Sequence, residues 1–392
     1  MQIGLLGKAN VGKSTFFSAA TQTSVPMGNF PFTTIKPNVG VAHVRRACAC
    51  MHFGSQLCGN CENGTRLIPI GLIDVAGLVP GAHEGRGLGN KFLDDARQAD
   101  ALVHVVDISG STDIEGQPVA IGSHDPLKDI EFVHNEFDAW FTQLLEREWH
   151  KLTKETEQKK ITLLDAVANR LSGLGIKLAD VKDALQSENR TDIKPSCWQS
   201  ADIASFASAL RRHSKPIVIA ANKADACLDL EILSKIKETI VPCSAEVELL
   251  LCKADKSGLA KYNPGSENFV ETKGANEAQK KALAKAKTVI EKINGTGIQK
   301  ILEIIVFDEL KLLTVYPVED ETKLQNKDGS TLPDVKLLPL GSTAKDLART
   351  IHADLADGFL HAINCKSKQR IGADYEIKDG DVIKIVSTKG RG

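Results

Sequence analysis

A phosphate-binding loop close to the start of the chain is the feature that most constrains its fold. Residues 7–14 read Gly-Lys-Ala-Asn-Val-Gly-Lys-Ser, which fits the pattern G-x-x-x-x-G-K-[ST]. The apolar residues 2–6 predict a short buried strand before this loop, and residues 13–21 predict a helix after it. Backbone N–H groups of such a loop surround phosphates when a strand precedes it and a helix follows. We therefore expect Lys13 to reach the β- and γ-phosphates of a nucleotide and Ser14 to bind Mg²⁺.

A second motif follows another apolar segment, residues 68–73, which predicts a buried strand. This strand ends at Asp74, and Gly77 follows three residues later. A carboxylate at Asp74 suits Mg²⁺ binding through water, and the N–H of Gly77 suits contact with the γ-phosphate. The D-x-x-G pattern is common on its own, and it gains weight here because it follows a phosphate-binding loop.

A third motif indicates which base the nucleotide carries. Residues 216–221 predict a buried strand that delivers Asn222, Lys223 and Asp225 at its end. A carboxylate at Asp225 can accept hydrogen bonds from N1–H and the exocyclic amine of guanine, and a site built for such bonds rejects a base that lacks them. We expect Lys223 to lie along the base plane and Asn222 to tie this segment to the phosphate-binding loop.

The last strand and turn of the predicted site, residues 241–246, place the backbone N–H of Ala245 where it could meet O6 of guanine. We therefore expect GTP and GDP as ligands, together with Mg²⁺. The predicted nucleotide-binding residues are Lys8, Ala9, Asn10, Val11, Gly12, Lys13, Ser14, Thr15, Asp74, Gly77, Asn222, Lys223, Asp225, Ser244, Ala245 and Glu246.

The ordered motifs resemble those of translation-factor-type GTPases. Residues 29–38, Asn-Phe-Pro-Phe-Thr-Thr-Ile-Lys-Pro-Asn, are similar to the Obg group, and residues 76–93 are similar to its YchF-like branch in the archaeal form. The resemblance covers nearly the whole chain. It implies an α/β P-loop GTPase fold, with a mostly parallel sheet and helices on both faces, that hydrolyses GTP to GDP and phosphate as a molecular switch.

The resemblance also bears on the metal and on the base. It implies that Thr34 is the switch threonine that closes over the γ-phosphate and joins Ser14 and Asp74 at Mg²⁺. Proteins of the YchF branch often lack the N-K-x-D pattern and accept ATP. This chain keeps the pattern at residues 222–225, so we expect a preference for GTP.

Hydrolysis needs a group that positions water, and the usual one is missing. Many small GTPases place Gln directly after D-x-x-G, where this chain has Leu78, whose side chain forms no hydrogen bond. We therefore expect slow intrinsic turnover. His83 lies five residues further on in a Gly-rich loop and is our candidate for positioning water, the alternative being a solvent-exposed loop histidine. Lys13 and Thr34 belong to the same candidate catalytic set.

Asn10 is the remaining catalytic candidate. In related GTPases an Asn at this place in the phosphate-binding loop helps to bind K⁺, which can supply the positive charge that an arginine finger would supply. The alternative is that Asn10 merely stabilises the loop. K⁺ is therefore an expected cofactor under the first interpretation and absent from the mechanism under the second.

Four of the nine cysteines form a cluster in the sequence, at Cys48, Cys50, Cys58 and Cys61. Two closely spaced pairs of thiolates can bind a tetrahedral Zn²⁺, although the first pair is closer together than the usual C-x₂₋₄-C spacing. His52 could replace one of these ligands. Free thiols or a redox pair are the alternatives, and the cluster lies where an inserted hairpin would project.

The length of 392 residues allows two or three domains. We predict a GTPase domain over residues 1–128 and 214–310, which contains the cysteine hairpin at 45–66. Apolar residues at helical spacing predict a helical insertion over 129–213, as a coiled-coil-like arm or as a packed lobe. From residue 311 to 392 the pattern resembles the TGS domain, a small ubiquitin-like β-grasp module.

Composition restricts the partners. The formal net charge of −1 does not by itself indicate a nucleic-acid partner, and no apolar run approaches the ~20 residues that would span a bilayer. The resemblance implies ribosomes or ribosomal RNA as partners of a monomer, and the first residues predict a strand rather than a secretory signal, which favours the cytoplasm. The alternative function is a nucleotide-gated scaffold with negligible turnover that binds a protein through its helical arm and TGS module.

Overall fold

The computed structural model describes residues 1–21, 39–54, 58–75, 97–159, 161–191, 193–227 and 230–388. Contacts between Cα atoms divide the chain into two units. The first unit comprises Met1–Ala42 and Ile70–Leu302, and the second comprises His43–Pro69 and Glu303–Gly392. The predicted domain limits at residues 128, 213 and 310 remain predictions.

The chain forms a six-stranded sheet in the order β2-β3-β1-β4-β5-β6. Its strands are β1 (Gln2–Leu6), β2 (Val39–Ala47), β3 (Thr65–Asp74), β4 (Ala101–Asp107), β5 (Ile217–Asn222) and β6 (Ile240–Pro242). The pairings from β3 through β1, β4 and β5 to β6 are all parallel. The carboxyl ends of these five strands therefore lie at one edge of the sheet, which is where ligands bind in open α/β folds.

The strands are buried because helices cover a parallel sheet, and such strands consist of continuous apolar runs. All seven residues of β4 are buried. The helices of the first unit are α1 (Lys13–Thr21), α2 (Pro126–Lys159), α3 (Leu163–Arg170), α4 (Leu178–Ser187), α5 (Ser200–Ser214), α6 (Ala245–Lys256), α7 (Glu277–Ile293) and α8 (Ile298–Glu303). The short strands β7 (Ala260–Lys261) and β8 (Val270–Glu271) pair antiparallel. The predicted fold class, a mostly parallel sheet with helices, is confirmed.

The helical insertion forms a packed lobe. Helix α2 is 34 residues long, and its apolar side chains Phe137, Phe141 and Leu145, at helical spacing, are all buried. These side chains share one hydrophobic cluster with residues of α3, α4 and α5 and with Leu6 and Leu102 of the sheet. The packed lobe is thus the alternative that the structure supports. Within the ranges that the structure describes, no helix combines the length and apolarity needed to cross a bilayer.

The second unit is built on a five-stranded sheet with the order β10-β9-β13-β11-β12. Strands β9 and β13 pair parallel, and the other three pairings are antiparallel. Its elements are β9 (Leu312–Val318), β10 (Lys336–Pro339), α9 (Ala344–Ile351), α10 (Ala353–Asp357), β11 (Phe359–Asn364), β12 (Gln369–Ile371) and β13 (Asp381–Ser387). Thr343 caps α9 by accepting a hydrogen bond from Asp346 N.

Two stretches differ from the sequence-based prediction. The apolar spacing over residues 298–310 predicts one continuous helix, whereas α8 ends at Glu303 and a π-helical stretch follows over Ile304–Glu309. The wider turns begin where the chain passes from the first unit to the second. The cysteine hairpin, expected to project, instead packs with residues of the C-terminal sheet, because Cys48 and Cys50 share a hydrophobic cluster with Tyr316. Short 3₁₀ turns occupy Ala49–His52, Ser172–Leu174, Pro195–Cys197 and Glu231–Lys235.

The aromatic centre of the helical lobe provides a stability test. Phe206 is fully buried, and its ring contacts Trp149 and Trp198 at centroid distances of 6.4 and 5.3 Å. We expect Phe206→Ala to lower the free energy of unfolding of the lobe by about 3–5 kcal/mol, because it removes a large buried side chain and leaves a cavity. Urea denaturation followed by tryptophan fluorescence measures this, since all three tryptophans of the chain, including Trp140, lie in the lobe.

The matched control for this substitution is Ala201→Ser, on an exposed position of the same helix α5. It should change the free energy of unfolding by no more than about 0.5 kcal/mol. Equal unfolding midpoints for Phe206→Ala and the unmodified protein would contradict the packing described for this lobe.

Candidate functional site

The phosphate-binding loop joins β1 to α1 and has a backbone that only glycine accepts at two positions. Gly7 and Gly12 have φ angles of +142° and +97°. A Cβ atom at Gly7 would lie 2.4 Å from the carbonyl oxygen of Val105, and one at Gly12 would lie 2.4 Å from Nδ2 of Asn222. The loop is therefore closely packed on its sheet side, and helix α1 begins directly after it with its N–H groups unpaired by the helix itself.

Lys13 lies across this loop. Its Nζ atom donates hydrogen bonds to the carbonyl oxygens of Gly7, at 3.0 Å, and Lys8, at 2.6 Å. Burial lowers the pKa of Lys13, and the carboxylate of Asp74 opposes this by raising it. A positive charge is thus held over a loop and a helix N-terminus, an arrangement that favours a phosphate.

Ser14 and Asp74 meet beside the loop, as the sequence predicts. The Ser14 hydroxyl donates to Oδ2 of Asp74 at 3.1 Å. They are brought together because β1 and β3 are parallel neighbours, with Leu5 in register with Asp74. A hydroxyl and a carboxylate in contact are the hard oxygen donors that Mg²⁺ prefers, so this pair fits that ion.

Asn222 connects the loop to the segment predicted to bind the base. Its Nδ2 atom donates to the carbonyl oxygen of Val11 at 2.8 Å, and its Oδ1 atom accepts from Ala245 N at 3.0 Å. Ser244 donates from its hydroxyl to Oδ1 of Asp225 at 2.7 Å and caps helix α6. The phosphate-binding loop therefore meets two segments that lie more than 200 positions later in the sequence, at one edge of the sheet.

Asp107 at the end of β4 belongs to the same edge and is missing from the predicted site. Its Oδ2 atom accepts hydrogen bonds from Lys223 Nζ and from the Thr112 hydroxyl, both at 2.9 Å. Burial would raise the pKa of Asp107, but hydrogen bonds from Lys223 and from two nearby serines lower it below its usual value. Asp107 therefore holds the Lys223 side chain in place. The available signal in the sequence was a largely apolar segment, residues 101–106, that is followed directly by Asp107.

A second network, also missing from the prediction, lies beneath the loop. The Nζ atom of Lys8 lies 2.7 Å from Oδ2 of Asp129, and both side chains are only 2% exposed. Lys8 also donates to the carbonyl oxygen of Thr112 at 2.9 Å, and His124 lies 2.8 Å from the other oxygen of Asp129. Because Asp129 lies in the first turn of α2, this pair connects the phosphate-binding loop to the helical lobe.

Asn10 contacts a different segment. It has a φ of +60°, and its Nδ2 atom donates to the carbonyl oxygen of Gly116 at 2.9 Å. The contact uses the amide nitrogen, whereas K⁺ would be bound by the amide oxygen. The geometry is compatible with both roles predicted for Asn10.

Several predicted residues lie outside the described part of the chain. They are Thr34, Gly77, Leu78 and His83. Their roles remain predictions.

The four clustered cysteines are described, and their sulfur atoms all lie within 4.8 Å of one another. His52, the alternative ligand, is exposed, and its ring stacks edge-on with Phe53.

Profiles of three known families match this chain. The profile described as 50S ribosome-binding GTPase matches residues 2–136. The profile of the Obg-like GTPase YGR210-like, G4 motif-containing domain matches residues 220–320, and the TGS domain profile matches residues 329–387. Together with the geometry of the loop and of Asn222, these matches define a P-loop GTP-binding protein with a C-terminal TGS domain.

Known relatives extend over almost the entire chain. MJ1332 of Methanocaldococcus jannaschii, named as an uncharacterized GTP-binding protein, is 46% identical, with 98% of both chains covered. The crystal structure of a GTP-binding protein from Pyrococcus horikoshii OT3 is similar with a TM-score of 0.78 and 40% identity, covering 99% of this chain and 100% of that one. The ribosome-binding ATPase YchF of Bacillus subtilis is 29% identical over 97% of each chain. The chain belongs to the Obg-like, YchF-related family of GTP-binding proteins.

The network beneath the loop yields a prediction for Asp129. We expect Asp129→Asn to lower the free energy of unfolding by about 3–5 kcal/mol, because the Lys8 charge would remain buried without its carboxylate. Nucleotide affinity should fall as well, since Lys8 is part of the phosphate-binding loop. Thermal unfolding with and without GTP measures both effects.

Glu131→Gln is the matched control, because Glu131 is an exposed carboxylate in the same helix. It should leave both quantities unchanged. If Asp129→Asn unfolds at the same temperature as this control, the buried pair does not support the loop.

Proposed function

We propose that this protein hydrolyses GTP to GDP and phosphate as a molecular switch that acts on ribosomes in the cytoplasm as a monomer. The observation that carries the proposal is the pair of hydrogen bonds made by Asn222, which joins the phosphate-binding loop at Val11 to Ala245. This pairing sets the distance between the part of the site suited to phosphates and the part suited to the base. It supports a site that binds both ends of one nucleotide.

The preference for guanine depends on Asp225. Its side chain is 9% exposed and accepts a hydrogen bond from Ser244, which orients the carboxylate. Nζ of Lys285 lies 3.8 Å from Oδ2 of Asp225. Relatives such as YchF are named ATPases. The N-K-x-D pattern at 222–225 is our reason to propose GTP for this chain.

The residues of the site have proposed tasks. Lys13 would place its charge against the phosphates, and Ser14, Asp74 and Thr34 would hold Mg²⁺. The bound ion would supply positive charge to the phosphate oxygens. His83 is proposed to position the attacking water because Leu78 cannot do so. Asn10 is proposed to bind K⁺ through its amide oxygen.

The ribosome is the proposed partner on two grounds. The N-terminal profile and the YchF relatives both carry ribosome binding in their names. The second unit also carries basic side chains at Lys366, Lys368 and Arg370, of which the last two are exposed. Positive side chains can contact RNA phosphates even though the whole chain is nearly neutral. A solvated loop is the alternative for this basic cluster.

The base preference is tested by Asp225→Asn. We expect calorimetry to give tight binding of GTP and GDP and weak binding of ATP to the unmodified protein. The substitution should weaken guanine nucleotide binding by roughly 10- to 100-fold, because it removes charged hydrogen bonds to the base. Asp183→Asn, at an exposed acid of α4, is the control and should bind as the unmodified protein does. Equal affinity for ATP and GTP would contradict the assignment of Asp225.

Turnover is tested by phosphate release with and without ribosomes, in K⁺ and in Na⁺. We expect slow release by the isolated protein and faster release with ribosomes. K⁺ should raise the rate by about 10-fold or more over Na⁺, since it adds charge where phosphate charge develops. Asn10→Ala should abolish the difference between the two ions. His83→Ala should slow release in both ions.

The same experiment separates the switch from the scaffold. If GTP binds tightly but no condition yields multiple turnovers, the nucleotide-gated scaffold with a protein partner is the correct function. If rates in K⁺ and Na⁺ are equal, Asn10 serves only the structure of the loop.

A further inference from the structure

Four thiols in the second unit come together although their sequence spacing is unusual. Cys48 Sγ lies 3.7 Å from Cys58 Sγ, and Cys50 Sγ lies 3.6 Å from Cys61 Sγ. All four sulfur atoms lie within 4.8 Å of one another. We propose that these four cysteines bind one structural Zn²⁺ ion that cross-links the 48–61 segment, whose Cys48 and Cys50 pack with residues of the C-terminal sheet.

The distances fit a tetrahedral zinc site. Zn–S bonds of about 2.3 Å place neighbouring sulfur atoms of a tetrahedron ~3.8 Å apart, close to the two separations observed. A disulfide requires an S–S distance of about 2.0 Å, so neither close contact is a formed bond. Each close contact also joins one cysteine of the first pair to one of the second, which gives a single group of four sulfur atoms.

The backbone explains how a C-x-C pair can contribute two ligands. Cys48 precedes the 3₁₀ turn Ala49–His52, in which Met51 N donates to the Cys48 carbonyl oxygen at 3.1 Å. The second pair lies in a tight turn whose Gly59 has a φ of +73°. Cys48 N donates to the Gly64 carbonyl oxygen at 2.7 Å, which holds the two turns together. The fold therefore brings the pairs together through backbone hydrogen bonds.

A buried cation beside the cluster matches the charge of such a site. Four thiolates with one Zn²⁺ carry a net negative charge, which a neighbouring cation stabilises. The side chain of Arg66 is buried, and its Nη1 atom lies 4.0 Å from Cys58 Sγ. Its Nη2 atom donates to the Pro333 carbonyl oxygen at 2.8 Å. Arg66 thereby links the sulfur cluster to the C-terminal part of the same unit.

The surroundings are those of a closed structural site rather than an open catalytic one. Cys48 and Cys50 are 3% and 4% exposed and pack with Tyr316, Leu332 and Val382. Asn60, within the second pair, donates to the Thr331 carbonyl oxygen at 2.9 Å. Structural zinc sites use four protein ligands and leave no open position. Loss of the ion should therefore loosen the packing of the 48–61 segment.

The first test is the metal content of the full-length protein, purified with reductant. We expect one zinc per chain by mass spectrometry of the elements. X-ray absorption should give four sulfur neighbours at about 2.3 Å. A mercurial that blocks thiols should release the zinc from the unmodified protein in proportion to its addition.

Substitutions of single cysteines test which thiols bind the zinc ion. Cys61→Ser should lose most of the zinc, whereas Cys197→Ser, an exposed cysteine of the helical lobe, should retain it. Arg66→Gln should weaken zinc affinity by about 10-fold or more, since neighbours of metal ligands typically contribute that much. Tryptophan fluorescence checks that each variant remains folded in the first unit, because all three tryptophans lie there.

Three results would overturn the proposal. They are four freely titratable thiols with no bound metal, a mass lowered by the hydrogens of two disulfides, and stoichiometric iron in place of zinc. The zinc proposal is independent of the nucleotide. Cys61→Ser should still bind GTP, so failure of one proposal would not be mistaken for failure of the other.

Discussion

The side chain of Asn222 is the interaction on which the rest of the nucleotide site depends. It satisfies one carbonyl oxygen of the phosphate-binding loop and one N–H of the Ala245 turn, and it is itself buried. An amide is suited to this task because it offers a donor and an acceptor on one rigid group. The Asn222 amide can approach the loop this closely because Gly12 has no Cβ atom. A Cβ atom at Gly12 would lie 2.4 Å from Nδ2 of Asn222. The separation between the two parts of the site is thus set by contacts that exist without any ligand.

Much of the fold and part of the site could be predicted from the sequence, for identifiable reasons. Helix α1 has the predicted bounds, Lys13–Thr21, because the phosphate-binding-loop motif before it is a local signal. Ser14 and Asp74 meet as predicted because parallel strands end at a common edge. Asp107 and Asp129 escaped prediction because their partners, Lys223 and Lys8, are more than 100 residues away, and no periodicity encodes such pairs. The packing of the cysteine segment against the C-terminal sheet is long-range in the same way.

The buried pair of Lys8 and Asp129 gives the helical lobe a direct connection to the nucleotide loop. A charge pair that is 2% exposed on both sides holds its geometry closely, because any displacement leaves a charge in an apolar environment. A displacement of α2 would therefore shift Lys8 and the phosphate-binding loop, and a displacement of the loop would shift Asp129 and α2. The lobe also shares a continuous hydrophobic cluster with the sheet, so it is part of the body of the first unit.

The second unit is assembled from two distant stretches of chain, His43–Pro69 and Glu303–Gly392. During synthesis the earlier stretch is complete long before the strands on which it packs have been made. At about 5–20 residues per second, the ribosome needs roughly 10–50 s to supply the intervening chain. Throughout that interval Cys48 and Cys50 lack Tyr316, Leu332 and Val382, the apolar side chains with which they pack in the finished fold. Because of the order of translation, the first unit can fold as soon as Leu302 has been made. The second unit forms only after the C-terminal strands have been made.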